Sequence, residues 1–169
     1  MDAIEAILNR RSIRKYSDKI ISQDMIKLFL KAGFCAPSAG NQQPWHFMII
    51  DNKELLLEIE KFHAHASMLK DADKAILVCG DLNLEKFVGY WMLDCSAATE
   101  NILIAAHSQG VGACWLGIYP KEDRIIKTKK LLNLPENIIP LSLIALGYPG
   151  ENKSPSDRFD DNRIHHNKW

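Results

Sequence analysis

The sequence has no excess charge of either sign, because 21 Lys and Arg residues are matched by 21 Asp and Glu residues. Electrostatic attraction to nucleic acid or to an anionic membrane surface is therefore not expected. No apolar run of membrane-spanning length is free of charge, and Met1–Leu8 lacks the basic start and apolar core of a signal peptide. These absences predict a cytoplasmic protein with no nucleic-acid partner and no membrane partner.

The sequence also lacks the short motifs that mark several common enzyme classes. It has no GxGxxG fingerprint, no Walker phosphate loop, no HExxH motif and no nucleophile elbow. It has no CxxC pair either. Its cysteines stand apart in apolar surroundings, which predicts buried, reduced thiols. They are Cys35, Cys79, Cys95 and Cys114.

Length and hydrophobic periodicity predict one domain of alternating helices and strands. Helix starts are expected at Asp2, Ser22 and Asn52, each a good N-cap residue, and after Pro120. Strands are expected at residues 45–50, 74–80, 111–118 and 138–146, the first two buried. The longest helix is expected from about Leu84 to Gln109, with Gly110 as its C-cap. It is apolar on most sides, which favours packing against a second chain.

The segment Cys35–Phe47 connects a predicted helix to a predicted strand. It holds two prolines, which cannot continue a helix and which favour extended geometry in the preceding residue. The resulting loop presents Ser38, Asn41 and either Gln42 or Gln43, together with backbone amides. Such a loop can surround a flat, polar-edged ligand, and it is equally compatible with an ordinary connection.

Two further segments carry ligand-binding chemistry. Arg10–Tyr16 has three arginines, a lysine and Ser12, and guanidinium groups bind phosphate oxygens bidentately. The same composition also fits a solvated basic loop. Trp115-Leu116-Gly117 ends a predicted strand, where glycine permits either close approach of a ligand to the backbone or a tight turn.

Four separated segments together resemble one family. They are Arg10–Arg14, Ala36–Trp45, Trp115–Gly117, and Gly147–Pro149 followed by Arg158. In this order they are similar to the FMN-dependent nitroreductase family, in its short single-domain form. The resemblance implies an α+β fold with a mixed, mainly antiparallel sheet flanked by helices, in an intertwined homodimer.

The dimer implied by the resemblance builds two flavin sites, each contacted by both subunits. Residues 1–169 then form a single nitroreductase-like domain, and residues 151–169 are a C-terminal extension packed on the partner subunit. That extension is polar but contains Phe159, Ile164 and Trp169, anchors that a free tail would not need. The long helix is expected to pack on its symmetry mate.

The resemblance also implies roles for individual residues. Arg10, Ser12 and Arg158 hold the FMN phosphate, and Arg14 lies near flavin N1, where a cation favours the reduced ring. The loop at 37–41 comes from the other subunit, and the turn at 116–117 points a backbone amide at N5. The implied cofactor contacts are Arg10, Arg11, Ser12, Arg14, Pro37, Ser38, Ala39, Asn41, Trp115, Leu116, Gly117 and Arg158.

The chain departs from larger family members at two positions. Leu116 stands where larger members often carry an acidic side chain, which changes the polarity above the ring. Ser156 stands where they can place a lysine, and Arg11, Lys153 or Arg163 are candidates to compensate.

A His-x-His pair at His63 and His65 precedes Ser67. No third ligand stands at a recognisable spacing, so a polar loop is favoured over a metal site. A further family contact to the flavin pyrimidine edge falls near His63–Ser67, without a choice among these residues.

The implied activity is that of an FMN-dependent NAD(P)H oxidoreductase. NADH or NADPH reduces the flavin at N5, and a nitroaromatic, quinone or similar flat electron-poor acceptor then takes the electrons in a ping-pong cycle. Because the flavin carries the chemistry, no catalytic side chain is expected. One alternative is a flavin-binding storage or sensor protein without turnover. Another is a cysteine enzyme, with Cys35 or Cys114 as nucleophile. Its partner would be His46 or His107.

Overall fold

The computed structural model describes residues 1–169 as a sheet of four strands with helices on both faces. The helices are α1 (Ala3–Asn9), α2 (Gln23–Phe34), α3 (Lys53–Phe62), α4 (Trp91–Ser108) and α5 (Glu122–Leu132). The strands are β1 (Trp45–Ile50), β2 (Lys74–Asp81), β3 (Gly112–Gly117) and β4 (Ile138–Gly147). None of the helices has the length and apolar character that crossing a bilayer requires.

The sheet is antiparallel throughout, in the order β1-β2-β4-β3. Alternate residues of the central strands enter two cores: Ile76 and Ile144 pack under α2 and α4, whereas Leu77 and Leu143 pack under α3 and α5. An isolated parallel bridge joins Ser12 to β3. The expected α+β fold with a mainly antiparallel sheet is confirmed.

The helix boundaries follow from local capping. The side chains of Asp2, Ser22 and Asn52 accept hydrogen bonds from the amide three residues further on, at 2.9, 3.3 and 3.0 Å. These bonds satisfy backbone donors that a helix start leaves free. Gly110 follows the end of α4 with φ of 72°, as a C-terminal glycine should. These four predictions are confirmed.

The predicted start of the long helix at Leu84 is wrong. Residues 82–84 form a short 3-10 turn, residues 85–90 are irregular, and α4 begins at Trp91. Gly89 adopts a φ of 91°, which a right-handed helix does not allow. The carboxylate of Glu85 accepts from the amides of Gly89 and Trp91, at 2.6 and 3.2 Å, and caps the true helix start.

The expectation that β1 is a buried strand is also wrong in part. It lies at the sheet edge, with Trp45 and Ile50 buried but His46, Met48 and Ile49 exposed. A continuous apolar run in the sequence therefore does not establish that a strand at the sheet edge is buried on both faces. The second strand, β2, is buried along almost its whole length, as predicted.

The exposed apolar side chains of the single chain include two groups, on α1 and in the C-terminal segment. On α1, Ile4 and Leu8 are each 65% exposed. In the C-terminal segment, Phe159, Ile164 and Trp169 all face solvent. One thiol prediction is wrong as well: Cys35 is exposed, because it caps the C-terminus of α2 beyond the face that packs on the sheet, whereas the other three cysteines are buried.

Candidate functional site

Three of the predicted phosphate-binding candidates line one cavity. It measures about 520 Å³ and lies between the end of α1 and the C-terminal segment, with Arg10, Arg11 and Arg158 in its wall. Arg10 is oriented by Glu100, whose Oε1 accepts from its Nε at 3.1 Å. The cavity wall contains one acidic residue, Asp157, against three arginines. Its excess of positive charge suits an anion such as a phosphate.

Arg11 ties the C-terminal segment to this cavity. Its Nε and Nη2 donate to the backbone carbonyls of Ser154 and Ser156, at 3.1 and 3.2 Å. Ser156 itself contributes Oγ as the acceptor for Arg158 Nε at 3.1 Å. Arg11 therefore has a structural role that the sequence did not reveal, since it holds the segment that carries Arg158.

Ser12 does not line the arginine cavity. It pairs with Ala113 at the edge of β3, and its carbonyl accepts from Lys153 Nζ at 2.8 Å. Lys153 also lies 3.1 Å from the carboxylate of Glu151. Lys153 is thus the basic residue of the C-terminal segment that approaches the Arg10–Arg14 backbone.

A second cavity holds four more of the predicted cofactor contacts, Arg14, Trp115, Leu116 and Gly117. It measures about 390 Å³ and lies at the end of β3. Its wall combines Arg14 and the turn Trp115–Gly117 with the loop after α3 and with Arg124 of α5. No acidic side chain lines it. The complete wall consists of Arg14, His63, Ala64, His65, Ser67, Met68, Cys114, Trp115, Leu116, Gly117 and Arg124.

The backbone at Gly117 is open toward this second cavity. A Cβ placed there would meet no atom within 4 Å, and φ is not positive. Neither chain packing nor backbone strain therefore requires glycine at this position. The space beside the backbone is available to a ligand that must approach it closely.

The carbonyl of Gly117 is held by two donors. His63 Nε2 lies 2.9 Å away and Arg124 Nη1 lies 2.7 Å away. Burial lowers the pKa of His63, and the Arg124 guanidinium adds to this effect, although the bond to the Gly117 carbonyl opposes it. Burial and the neighbouring cation therefore favour the neutral form of His63.

Sequence reasoning left His63–Ser67 without an assignment and missed Arg124. No local pattern marks Arg124, which stands in the first turn of an amphipathic helix like any solvated cation. The structure commits His63 to a backbone carbonyl rather than to a metal, and no group of three or more potential metal-ligating side chains is arranged around an ion-sized space.

The buried thiol of Cys114 also borders the second cavity. Burial raises its pKa, although the guanidinium of Arg14 opposes the rise. Burial likewise raises the pKa of the Tyr16 phenol, which donates to the Ile13 carbonyl at 2.8 Å. No hydrogen bond joins a cysteine to a histidine, so the geometry gives no support to a cysteine nucleophile with a histidine base.

The predicted loop Pro37–Asn41 lies away from both cavities. The amide of Ala39 donates to Asp94 at 2.9 Å, and this bond fastens the loop to the first turn of α4. Gly40 adopts a φ of 52° against the ring of Phe87, where a Cβ would come within 2.2 Å of that ring. The loop is rigidly held, and its predicted role toward a flavin of the other subunit stays a prediction.

Comparison with known proteins places the whole chain in one group. The sequence model of the nitroreductase family matches residues 7–87 and 63–148. A Methanothermobacter thermautotrophicus protein with the provisional name NADH dehydrogenase/NAD(P)H nitroreductase is 50% identical over 169 residues, which is 100% of this chain and 88% of that protein.

Solved structures agree with the sequence match. A protein from Parabacteroides distasonis, of the same provisional name, superposes with a TM-score of 0.95 at 41% identity, over 99% of this chain and 98% of that one. An FMN-dependent nitroreductase from Clostridium difficile gives a TM-score of 0.91 at 27% identity, over 98% and 99% of the two chains. This chain belongs to the nitroreductase family.

Proposed function

We propose that the protein is an FMN-dependent NAD(P)H oxidoreductase. The observation that carries the proposal is the course of Arg10–Arg14, which runs from the arginine cavity to the cavity at the end of β3. An elongated ligand with a phosphate at one end and a flat polar ring at the other fits this pair of sites. The names of relatives support the same cofactor, since one similar nitroreductase is described as FMN-dependent.

At the phosphate end, Arg10 and Arg158 supply charge-assisted hydrogen bonds to phosphate oxygens. Arg11 holds the segment that carries Arg158, and Glu100 orients Arg10. Ser12 contributes from the backbone strand between the two cavities. Ser12 itself does not border the arginine cavity.

At the ring end, Arg14 is the residue that faces the pyrimidine edge. Its backbone amide donates to Glu151 Oε1 at 2.6 Å, and its guanidinium borders the cavity beside the Cys114 thiol. A guanidinium in a cavity without carboxylates stabilises negative charge on a bound ring. Trp115, Leu116 and Gly117 supply the neighbouring wall, and the open space at Gly117 lets a ring atom approach the backbone. When bound, FMN supplies two-electron redox chemistry between NADH or NADPH and an acceptor.

The site is completed by a second copy of the chain in this proposal. Pro37, Ser38, Ala39 and Asn41 then contact the flavin held by the partner subunit, and residues 151–169 pack on that subunit as an extension of the single 1–169 domain. The exposed apolar side chains of α1 and of the C-terminal segment support this arrangement, because isolated domains rarely leave such groups unburied.

The acceptors proposed are flat, electron-poor molecules such as nitroaromatics and quinones, in a ping-pong cycle with the nicotinamide. Leu116 makes the wall apolar where larger relatives can be acidic, which suits neutral aromatic acceptors.

Anaerobic stopped-flow mixing tests the activity. FMN-loaded protein mixed with NADH or NADPH should lose its oxidised flavin absorbance, and a second mix with a quinone or a nitroaromatic should restore it. The Lys27→Ala variant, altered on the exposed surface of α2, serves as a control and should behave as the parent. Protein that binds FMN but is reduced by neither nucleotide would contradict turnover and would favour a storage or sensor role.

A further inference from the structure

We propose that Arg124 is a positioning residue of the flavin site. With His63 it fixes the Gly117 carbonyl. Its guanidinium also places a second positive charge at the cavity that Arg14 borders. This inference rests on the proposed function for its redox consequence. Its structural part, the clamp on Gly117, can be tested without any flavin.

The clamp consists of two donors that share one acceptor. Arg124 Nη1 and His63 Nε2 lie 2.7 and 2.9 Å from the carbonyl oxygen of Gly117 and 3.2 Å from each other. The peptide that follows Gly117 is held on its other side too, because the Ile118 amide donates to the Leu141 carbonyl at 3.0 Å. The end of β3 is therefore fixed in orientation, even though glycine is its most permissive residue.

The hydrogen bonds also assign the tautomer of His63. The amide of His65 points at His63 Nδ1 from 3.3 Å, so Nδ1 must accept. The proton then resides on Nε2, where it can be donated to the Gly117 carbonyl. In the reverse tautomer, the lone pair of Nε2 would face the Gly117 carbonyl oxygen, and the N–H of Nδ1 would face the N–H of His65. Neither pair could form a hydrogen bond.

Charged and titratable groups around His63 reinforce its neutral form. The groups that face it are Arg124 from α5 and His65 from its own loop, and Arg14 borders the same cavity. None is acidic, so no carboxylate stabilises an imidazolium, and only hydrogen bonds to backbone carbonyls favour it. Arg124 thus acts on His63 in two ways, as a neighbouring charge and as a competitor for the same acceptor.

The remaining guanidinium nitrogens of Arg124, Nε and Nη2, have no protein acceptor. Arg124 therefore keeps donors and a full positive charge at a cavity that already holds Arg14 and has no carboxylate. Two cations at one cavity favour the form of a bound ring that carries more negative charge. For a flavin that is the two-electron reduced form, so Arg124 should tighten binding of reduced FMN more than of oxidised FMN.

The first experiment uses flavin-free protein and nitrogen NMR of the His63 ring. The parent should show a neutral ring with the proton on Nε2, and it should resist protonation as the pH falls below the ordinary histidine pKa. Arg124→Met should raise the pKa of His63. Lys127→Met is the matched control, since it removes an exposed cation from the same helix and should leave the His63 signals unchanged.

The second experiment measures the midpoint potential of bound FMN with a reference dye. Arg124→Met should change the ratio of the dissociation constants of oxidised and reduced FMN about tenfold, which lowers the two-electron potential by about 30 mV. Arg124→Lys keeps the charge and should recover most of the shift. Lys127→Met should match the parent.

The two readouts separate the possible failures. If the parent binds no FMN, the proposed function fails, and the NMR result still decides whether Arg124 governs His63. If FMN binds but Arg124→Met leaves both the His63 signals and the potential at parental values, the role of Arg124 is overturned. A shift in potential of equal size in Lys127→Met would also overturn it, because a general charge effect would then explain the result.

Discussion

The side-chain amide of Gln42 donates to the carboxylate of Asp94 at 2.6 Å, and both residues are buried. The other oxygen of Asp94 accepts from the Ala39 amide. Gln42 Oε1 in turn accepts from the amides of Lys86 and Phe87, at 2.8 and 3.1 Å. One buried pair thus fastens the loop before β1 to the irregular segment before α4.

Removal of this carboxylate should destabilise the protein. Asp94→Ala leaves one buried donor, on Gln42, and one partly buried donor, the Ala39 amide, without acceptors, so the free energy of unfolding should fall by about 2–3 kcal/mol. Urea titration followed by tryptophan fluorescence, at fixed protein and FMN concentrations, gives the value. Asp51→Ala, at an exposed carboxylate without a hydrogen bond, should change stability by under about 0.5 kcal/mol. Equal stability of the two variants would refute the structural role of Asp94.

Loss of Arg10 should discriminate between two flavins. Arg10→Ala removes a charge-assisted contact, so FMN affinity should fall by about 1.5–3 kcal/mol. Riboflavin lacks the phosphate, and its affinity should hardly change. Fluorescence quenching titrations of both flavins provide the comparison, with Lys27→Ala as control. Equal weakening for both flavins would mean that Arg10 does not face the phosphate.

Two glycine substitutions should have opposite outcomes. Gly117→Ala meets no atom of the chain, so stability should hold or rise by up to about 1 kcal/mol while FMN affinity falls. Gly112→Ala would bring its Cβ within 2.8 Å of Ile13, and should destabilise the fold. Thermal unfolding of the flavin-free variants measures the change in stability. A separate titration with FMN measures the change in affinity. Unchanged FMN binding by Gly117→Ala would show that no ligand approaches that backbone.

Glu151 should contribute stability that depends on pH. The Arg14 amide and then Lys153 hold the pKa of its carboxyl below the ordinary 4.5. In the unfolded chain the carboxyl binds protons more readily, so its contribution is present above about pH 4.5 and is lost as the pH falls through the lowered value. The stability difference between the parent and Glu151→Gln should therefore shrink in acid. Urea titrations at several pH values test this, and a difference that grows toward low pH would have the wrong sign.

The apolar face of α1 should matter for association. The double substitution Ile4→Glu and Leu8→Glu introduces negative charge at two positions whose native side chains are 65% exposed in the single chain. The variant should therefore still fold, but its dimer should be weaker. Ile126→Glu, at an exposed position on the opposite face of the sheet, is the control. Light scattering after size exclusion reports the mass. A parent protein that is monomeric at all concentrations would refute the proposed subunit arrangement.

The elements themselves could be predicted from sequence because their signals are local. Asp2, Ser22 and Asn52 mark helix starts through hydrogen bonds to an amide three residues away. The start of α4 could not be placed, because the apolar residues before it mimic a helix. The break depends on the φ of Gly89 and on capping by Glu85.

The candidate site was predictable only where short motifs carry it. Arg10, Arg14 and the turn at Gly117 stand in recognisable segments, and the fold brings them to two cavities joined by residues 10–14. His63 could be placed only within the segment His63–Ser67, and Arg124 could not be predicted, because their contact spans 61 residues and depends on how α5 packs beside the loop after α3.

The most direct test of the central claim is titration of FMN into flavin-free protein, with absorbance and molar mass recorded on the same sample. The account predicts a yellow complex of one FMN per chain, in particles of two chains, whose colour is bleached by NADH or NADPH. A colourless monomer that takes up no FMN would contradict it.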